Sequence, residues 1–142
     1  MPEYPWIPIA RNELGVHEIP GPESEQRILE YIASTTYPNP YEQDDSEVPW
    51  CSCFVNWCIK QAGLKGTDSA WARSWLNWGR EPSEEEYDGC VCVLDRGANS
   101  GHVGFLVGWD ENTVTLLGGN QGDKVCQATF NRDRVLGYRI MG

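Results

Sequence analysis

From Cys51 to Ala62 the chain contains neither proline nor glycine, and Cys51, Phe54, Val55, Cys58, Ile59 and Ala62 recur at the three- and four-residue spacing of one helix face. Pro49 before this stretch and Gly63 after it are a start and a stop signal, so the pattern predicts a helix beginning at Cys51. At about 100° per residue Cys53 falls about 200° from Cys51, with Asn56, Trp57 and Lys60 on the polar side, while Cys51 heads the apolar stripe.

The remaining pattern divides into helical periods first and strand periods second. Residues 5 to 14 read as a helix with Pro5 and Pro8 in its first turn and Gly15 at its end; 16 to 21 form a turn. A second helix is predicted from Pro22 to about Ser34, with Ile28, Leu29 and Ile32 on one face, and 35 to 49 form a long loop containing Pro38, Pro40 and Pro49. Ser69 to Trp78 reads as a short helix capped by Ser69, with Trp71, Trp75 and Trp78 at helical spacing. Five β-prone runs follow, at 90–94, 101–108, 113–117, 125–130 and 135–140, separated by turns at 95–97, 110–112 and 122–124. Helices followed by an antiparallel sheet make an α+β layout, expected to be one domain over residues 1–142.

Composition narrows the partners. The net charge of −10 and pI near 4.5 argue against nucleic acid or an anionic membrane surface, since either calls for a basic face. No apolar stretch approaches the roughly 18 residues of a membrane span, and Met1 to Pro5 has neither the basic nor the apolar region of a secretory signal. The acidic runs from Glu42 to Glu47 and from Glu84 to Asp88 read as solvated loops. Of the six cysteines, Cys90 and Cys92 lie about 6.6 Å apart on one strand face, a poor disulfide geometry. The C-x-C pairs and two histidines do not match structural zinc spacing, so reduced thiols are expected, with a long-range bridge left open and no metal or organic cofactor required.

The chemistry centres on Cys51. A cysteine at a helix start meets free N–H groups and the positive end of the peptide dipoles, which favour a thiolate nucleophile. Such a thiol needs a base, itself oriented by a third group. His17 sits in a turn and reads as a surface residue; His102 lies in a strand run between Gly101 and Gly104, open enough for a substrate, and is the candidate base. In the glycine-rich run 118–123, Asn120 is the candidate orienter, with Gln121 and Asp123 as rivals and a simple turn as the plain reading. Trp50 and Trp75 are candidate walls of a substrate groove, with Ser52 in the helix's first turn beside them. Asp45, with Asp44 and Glu47, is a candidate site for a free amine on the substrate.

The blocks Trp50-Cys51-Ser52-x-Phe54-Val55 and Gly101-His102-Val103-Gly104-Phe105, with Glu13-Leu14-Gly15-Val16-x-Glu18 before and Gly118-Gly119-Asn120-Gln121 after, resemble the NlpC and CHAP groups of bacterial and phage cysteine peptidases. CHAP denotes cysteine, histidine-dependent amidohydrolase/peptidase, and the likeness is greatest to small CHAP-like cell-wall hydrolases of phage and secreted-toxin clusters. The resemblance covers nearly the whole chain. It implies a papain-like α+β fold, helices packed on a small antiparallel sheet, with Cys51 as nucleophile, His102 as base and Asn120 as third polar residue. It also implies a peptidoglycan stem peptide as substrate, cut by an amidase or endopeptidase reaction. Without a signal peptide, the expected routes to the wall are release as a phage lysin or injection as a toxin, the latter with a cognate immunity protein. Two other classes fit the same residues: a non-catalytic wall-binding or phage structural domain, and a cysteine acyltransferase or peptidase acting on protein.

Overall fold

The computed structural model describes residues 3–17, 26–35, 50–97 and 101–141. Three α-helices come first, α1 (Trp6–Arg11), α2 (Gln26–Ala33) and α3 (Cys51–Gln61), followed by a 3₁₀ helix at Ala72–Asn77. The strands β1 (Val91–Asp95), β2 (Gly101–Trp109), β3 (Thr113–Gly118), β4 (Cys126–Asn131) and β5 (Val135–Arg139) form one antiparallel sheet in the order β4-β3-β2-β1-β5. The α+β reading holds, with each predicted strand within a residue of its observed bounds. The first helix is shorter than the predicted 5–14, because residues 12 to 15 turn so that Gly15 and Val16 can bond to Val125. Of the predicted second helix, Gln26–Ala33 is described; its start and the loop from 36 to 49 lie outside the described residues. The Ser69–Trp78 stretch forms a 3₁₀ turn rather than an α-helix, and Ser69 Oγ accepts the Trp71 N–H just before it.

The period-two alternation of the strands gives the sheet two buried faces. Val91, Val93, Val103, Phe105 and Leu117 pack against α1, α2 and α3, while Cys92, Leu94, Leu106, Val114 and Leu116 form a second cluster on the reverse face. The second face is closed by curling. A flat sheet would hold its edge strands β4 and β5 about 19 Å apart, yet only the 3₁₀ turn Arg132–Arg134 joins them, and four residue steps span at most about 14 Å. The register shifts between Leu106 and Gly108, and between Val93 and Leu94, supply local bend and twist.

α3 is the axis of the first core. It begins at Cys51 as the pattern predicts, with Trp50 at its N-cap. It ends in a Schellman motif in which Gly63 N–H donates to Lys60 O and Leu64 N–H to Ile59 O, with Gly63 at φ 81°. The polar side expected for this helix faces solvent only in part: Lys60 is exposed and Trp57 half-buried, but Cys53 and Asn56 are fully buried along with the apolar stripe. The reason is a set of partners distant in sequence. Asn56 donates to Ser52 O, Thr67 Oγ1 and Ser69 O and accepts from Asp68 N–H, fastening the 67–69 loop over the helix, while Ser34 Oγ donates to Cys53 O. Both N–H groups and the oxygen of the Asn56 carboxamide are thereby partnered, which removes most of the cost of burying it.

The glycine run after β3 rests on the start of α3. A Cβ on Gly119 would stand 2.5 Å from Cζ3 of Trp50 and 2.8 Å from Cβ of Phe54, so only glycine allows this approach. Gly119→Ala should therefore destabilise the fold by about 1–3 kcal/mol through overpacking, read as a lower urea midpoint with an unchanged denaturant slope. An unchanged midpoint would mean that the loop does not bear on Trp50.

Candidate functional site

The predicted nucleophile lies where the first turn of α3 abuts the start of β2, its sulfur close to the backbone of Val103, the residue after the predicted base. The backbone N–H groups of Val103, which follows His102 directly, and of Ser52 and Cys51 itself lie near enough to the Cys51 sulfur to favour its charged form. These donors and the nearby Arg96 charge favour a thiolate, but burial outweighs them and raises the thiol above its ordinary value. The expectation of a thiol lowered by the helix start is therefore incomplete: the helix N–H groups are present, and desolvation wins in the free protein. Cys53 is separated cleanly from this role. It turns toward α2, 3.9 Å from Thr35 Oγ1, and burial pushes its thiol up to about 12.

His102 is buried, and its Nε2 lies 2.8 Å from Gln121 Oε1. The amide of Gln121 is not free to turn over, because its Nε2 donates to Leu116 O at 3.2 Å and Cys126 O at 2.7 Å. Oε1 must then accept, so His102 Nε2 carries the proton and Nδ1 is the basic nitrogen of the neutral ring. Burial lowers the imidazole to about 4, with the charges of Arg96 and Arg134 acting in the same direction and the Gln121 bond opposing. Thiol and imidazole are accordingly both neutral near pH 7 in the free protein.

Gln121 makes this contact rather than Asn120. Asn120, Gly122 and Asp123 all have left-handed backbones, with φ of 58°, 62° and 63°, and Gln121 N–H donates to Lys124 O across the turn. This turn carries the Gln121 side chain beneath the imidazole and leaves Asn120 on the lining of the cleft. Gly118 makes room for it: a Cβ there would lie 2.8 Å from Gln121 Oε1. The pairing of Gly15 and Val16 with Val125, and of His17 with Lys124, holds the turn from the other side.

Three of the other sequence candidates are corrected. Trp50 and Trp75 are completely buried, as is Ser52, so none is a wall that substrate can touch. Trp50 stacks on Tyr31, 5.9 Å between ring centres, and Ser52 Oγ donates to Ser69 O while accepting Trp75 Nε1–H at 2.8 Å. They brace α3 behind Cys51, an apolar task that a tryptophan beside a nucleophile performs as readily as a groove wall. Asp45, with Asp44 and Glu47, lies outside the described residues. His17 is at the surface, as expected.

The cleft beside His102 encloses about 440 Å³ and is lined by Asn120 and Gln121 together with residues that the pattern did not single out, among them Arg96, Lys124, Phe130 and Arg134. Phe130 lies 5.4 Å from the imidazole, centre to centre. Among the described residues no three His, Cys, Asp or Glu side chains gather as a metal site. All six cysteines are free, and no described helix is long and apolar enough to cross a membrane.

The CHAP domain family matches residues 43–120, more than half of the chain. The chain belongs to the CHAP family. No curated protein matches it significantly. The match takes in both Cys51 and His102 and stops one residue before Gln121. CHAP domains are cysteine- and histidine-dependent hydrolases associated with peptidoglycan, and that coarse class applies to this chain. Within the CHAP domain, burial suppresses the charged form of His102.

That suppression has a thermodynamic sign. The folded value near 4 lies below the ordinary 6.5, so between these limits the unfolded chain binds more protons and stability falls as pH falls. The loss contributed by His102 should total about 3 kcal/mol. Urea unfolding of the protein and of His102→Gln at about pH 7 and about pH 4 should show the native chain losing that much more than the variant. Equal losses would mean that the imidazole is not desolvated.

Proposed function

We propose that this CHAP domain is a peptidoglycan hydrolase, an amidase or endopeptidase that cleaves an amide of the stem peptide through Cys51 and His102. The observation that carries the reading is the tautomer of His102. With Nε2–H committed to Gln121, Nδ1 is left as the proton acceptor, on the residue next to Val103, whose backbone borders the Cys51 thiol at the helix start.

Because burial disfavours both charged forms, proton transfer from Cys51 to Nδ1 accompanies attack on the carbonyl instead of preceding it. The sulfur bonds to the carbonyl carbon and the developing oxyanion takes hydrogen bonds from backbone N–H groups at the start of α3. One such donor is typically worth about 3 kcal/mol. The imidazolium then protonates the leaving amine, whose bond to carbon breaks to give a thioester, and water activated by Nδ1 hydrolyses it. Gln121 keeps the ring in its productive orientation throughout, and no cofactor enters the scheme.

The glycan-gripping alternative loses its main support, since the large aromatic side chains around α3 are internal and only Trp71 and Trp109 among the described tryptophans are well exposed. Action on the wall after release by a phage or injection by a secretion machine, with an immunity protein in the second case, completes the proposal.

Purified peptidoglycan should yield soluble fragments with the native protein and none with Cys51→Ala, the new termini identifying the bond by mass spectrometry. Gln121→Ala should lower kcat about 100-fold with a much smaller change in KM, because the contact it removes at the site is the one that orients the imidazole. Fragments released equally by Cys51→Ala would overturn the thiol mechanism.

A further inference from the structure

The cleft beside His102 has an electrostatic character opposite to that of the chain. The protein carries a net charge of −10, yet Arg96, Lys124 and Arg134 all line this cleft and no carboxylate does. Elsewhere Arg11, Arg27, Lys60, Arg73, Arg80 and Arg139 each pair with a carboxylate, while Lys65 and Arg132 stand apart from the cleft without such a partner among the described residues. Among the described residues the three cleft cations have no such partner. In a chain with an excess of acidic side chains, leaving three cations unpaired around one cleft maintains a local positive field that low-dielectric walls focus.

The cations are also fixed relative to the reacting groups. Arg134 Nε donates to Asp95 O at 3.2 Å, and its guanidinium lies over Phe130 at 5.3 Å from the ring centre. Phe130 in turn touches the imidazole at 5.4 Å, so Arg134 Cζ lies within about 11 Å of His102, about three residues of extended peptide. Arg134 keeps its two terminal nitrogens, a planar fork suited to a carboxylate. Arg96 is near enough to act electrostatically on both Cys51 and His102.

We propose that this cleft is a carboxylate-binding subsite, and that the enzyme selects peptides bearing a free carboxylate within about three residues of the scissile amide, with Arg134 as the fork and Arg96 and Lys124 completing the field. The inference rests on the hydrolase reading for its substrate class. Phe130 and Ala128 supply the apolar floor against which the intervening chain lies.

The test uses one stem peptide in two forms, with its carboxylates free and with the same carboxylates converted to primary amides. Cleavage is followed with the native protein and binding by calorimetry with Cys51→Ala. The acid form should bind about 10- to 100-fold more tightly and be cleaved in preference, and the advantage should shrink as salt is raised. Arg96→Gln/Lys124→Gln, which alters only exposed side chains, should reduce the preference, and adding Arg134→Gln should bring it close to unity. Equal binding of the two forms, binding of neither, or a preference unmoved by the three substitutions would overturn the subsite. If the native protein cleaves neither peptide while Cys51→Ala still prefers the acid form, the hydrolase reading fails and the carboxylate site stands. If both peptides are cleaved without any preference, the hydrolase stands and the carboxylate site fails.

Discussion

The arrangement depends on a side-chain amide that has no freedom left. Gln121 gives both N–H groups to backbone carbonyls and its oxygen to His102, so the tautomer of the imidazole is determined by the main chain of β3 and β4. A carboxylate in the same place would also orient the ring, but it would raise the imidazole's affinity for a proton and favour a charged pair at rest. The neutral amide, in a buried setting, leaves the ring unprotonated and available as a base at pH 7. The same orientation requires Gly118, because any side chain there would collide with the amide, and it requires the left-handed turn at Asn120, Gly122 and Asp123. Gly118 and the left-handed turn are therefore explained by a single hydrogen bond, while Gly119 answers to Trp50 and Phe54.

The neutral resting forms of Cys51 and His102 bear on the timing of the proposed chemistry. The backbone N–H groups near the sulfur favour its charged form, so in the proposed reaction any negative charge on sulfur would meet dipoles already in place. What the free protein lacks is any net reason to separate charge before a substrate arrives. This keeps Cys51 less reactive toward adventitious electrophiles than a standing thiolate would be. Cys53, two residues on, is kept still less reactive by burial against α2.

Much of this was legible in the sequence because it is local. The start of α3 at Cys51, the five strands and the position of His102 follow from periodicity and from proline and glycine punctuation. The choice among Asn120, Gln121 and Asp123 was not, since all three suit a turn and only the sequence of left-handed residues decides which side chain reaches the imidazole. Trp50, Ser52 and Trp75 were misread for a related reason. Closeness to a nucleophile in sequence says nothing about which side of the helix is covered, and here the 67–69 loop and the Ala72–Asn77 turn cover the side that the polar pattern left open. The cationic cleft escaped notice because its members come from three separate stretches, around 96, 124 and 134, none of which is a basic run.

Those stretches converge through the curl of the sheet. β4 and β5 are opposite edges of the strand order, and the Arg132–Arg134 turn that joins them must pass near the open end of the curl, where β1 ends and β2 begins. That is where His102 starts β2 and where Arg96 follows β1. The bond from Arg134 Nε to Asp95 O records the meeting directly, and Phe130, one turn upstream on β4, fills the space between guanidinium and imidazole. The curl that buries Leu106, Val114 and Leu116 on the second face is thus also what brings Arg134 to the base. A chain that folded the same helix and the same strands into a flat sheet would lose the charged cleft, so the carboxylate selection proposed for it would depend on the second core as much as on the cleft itself.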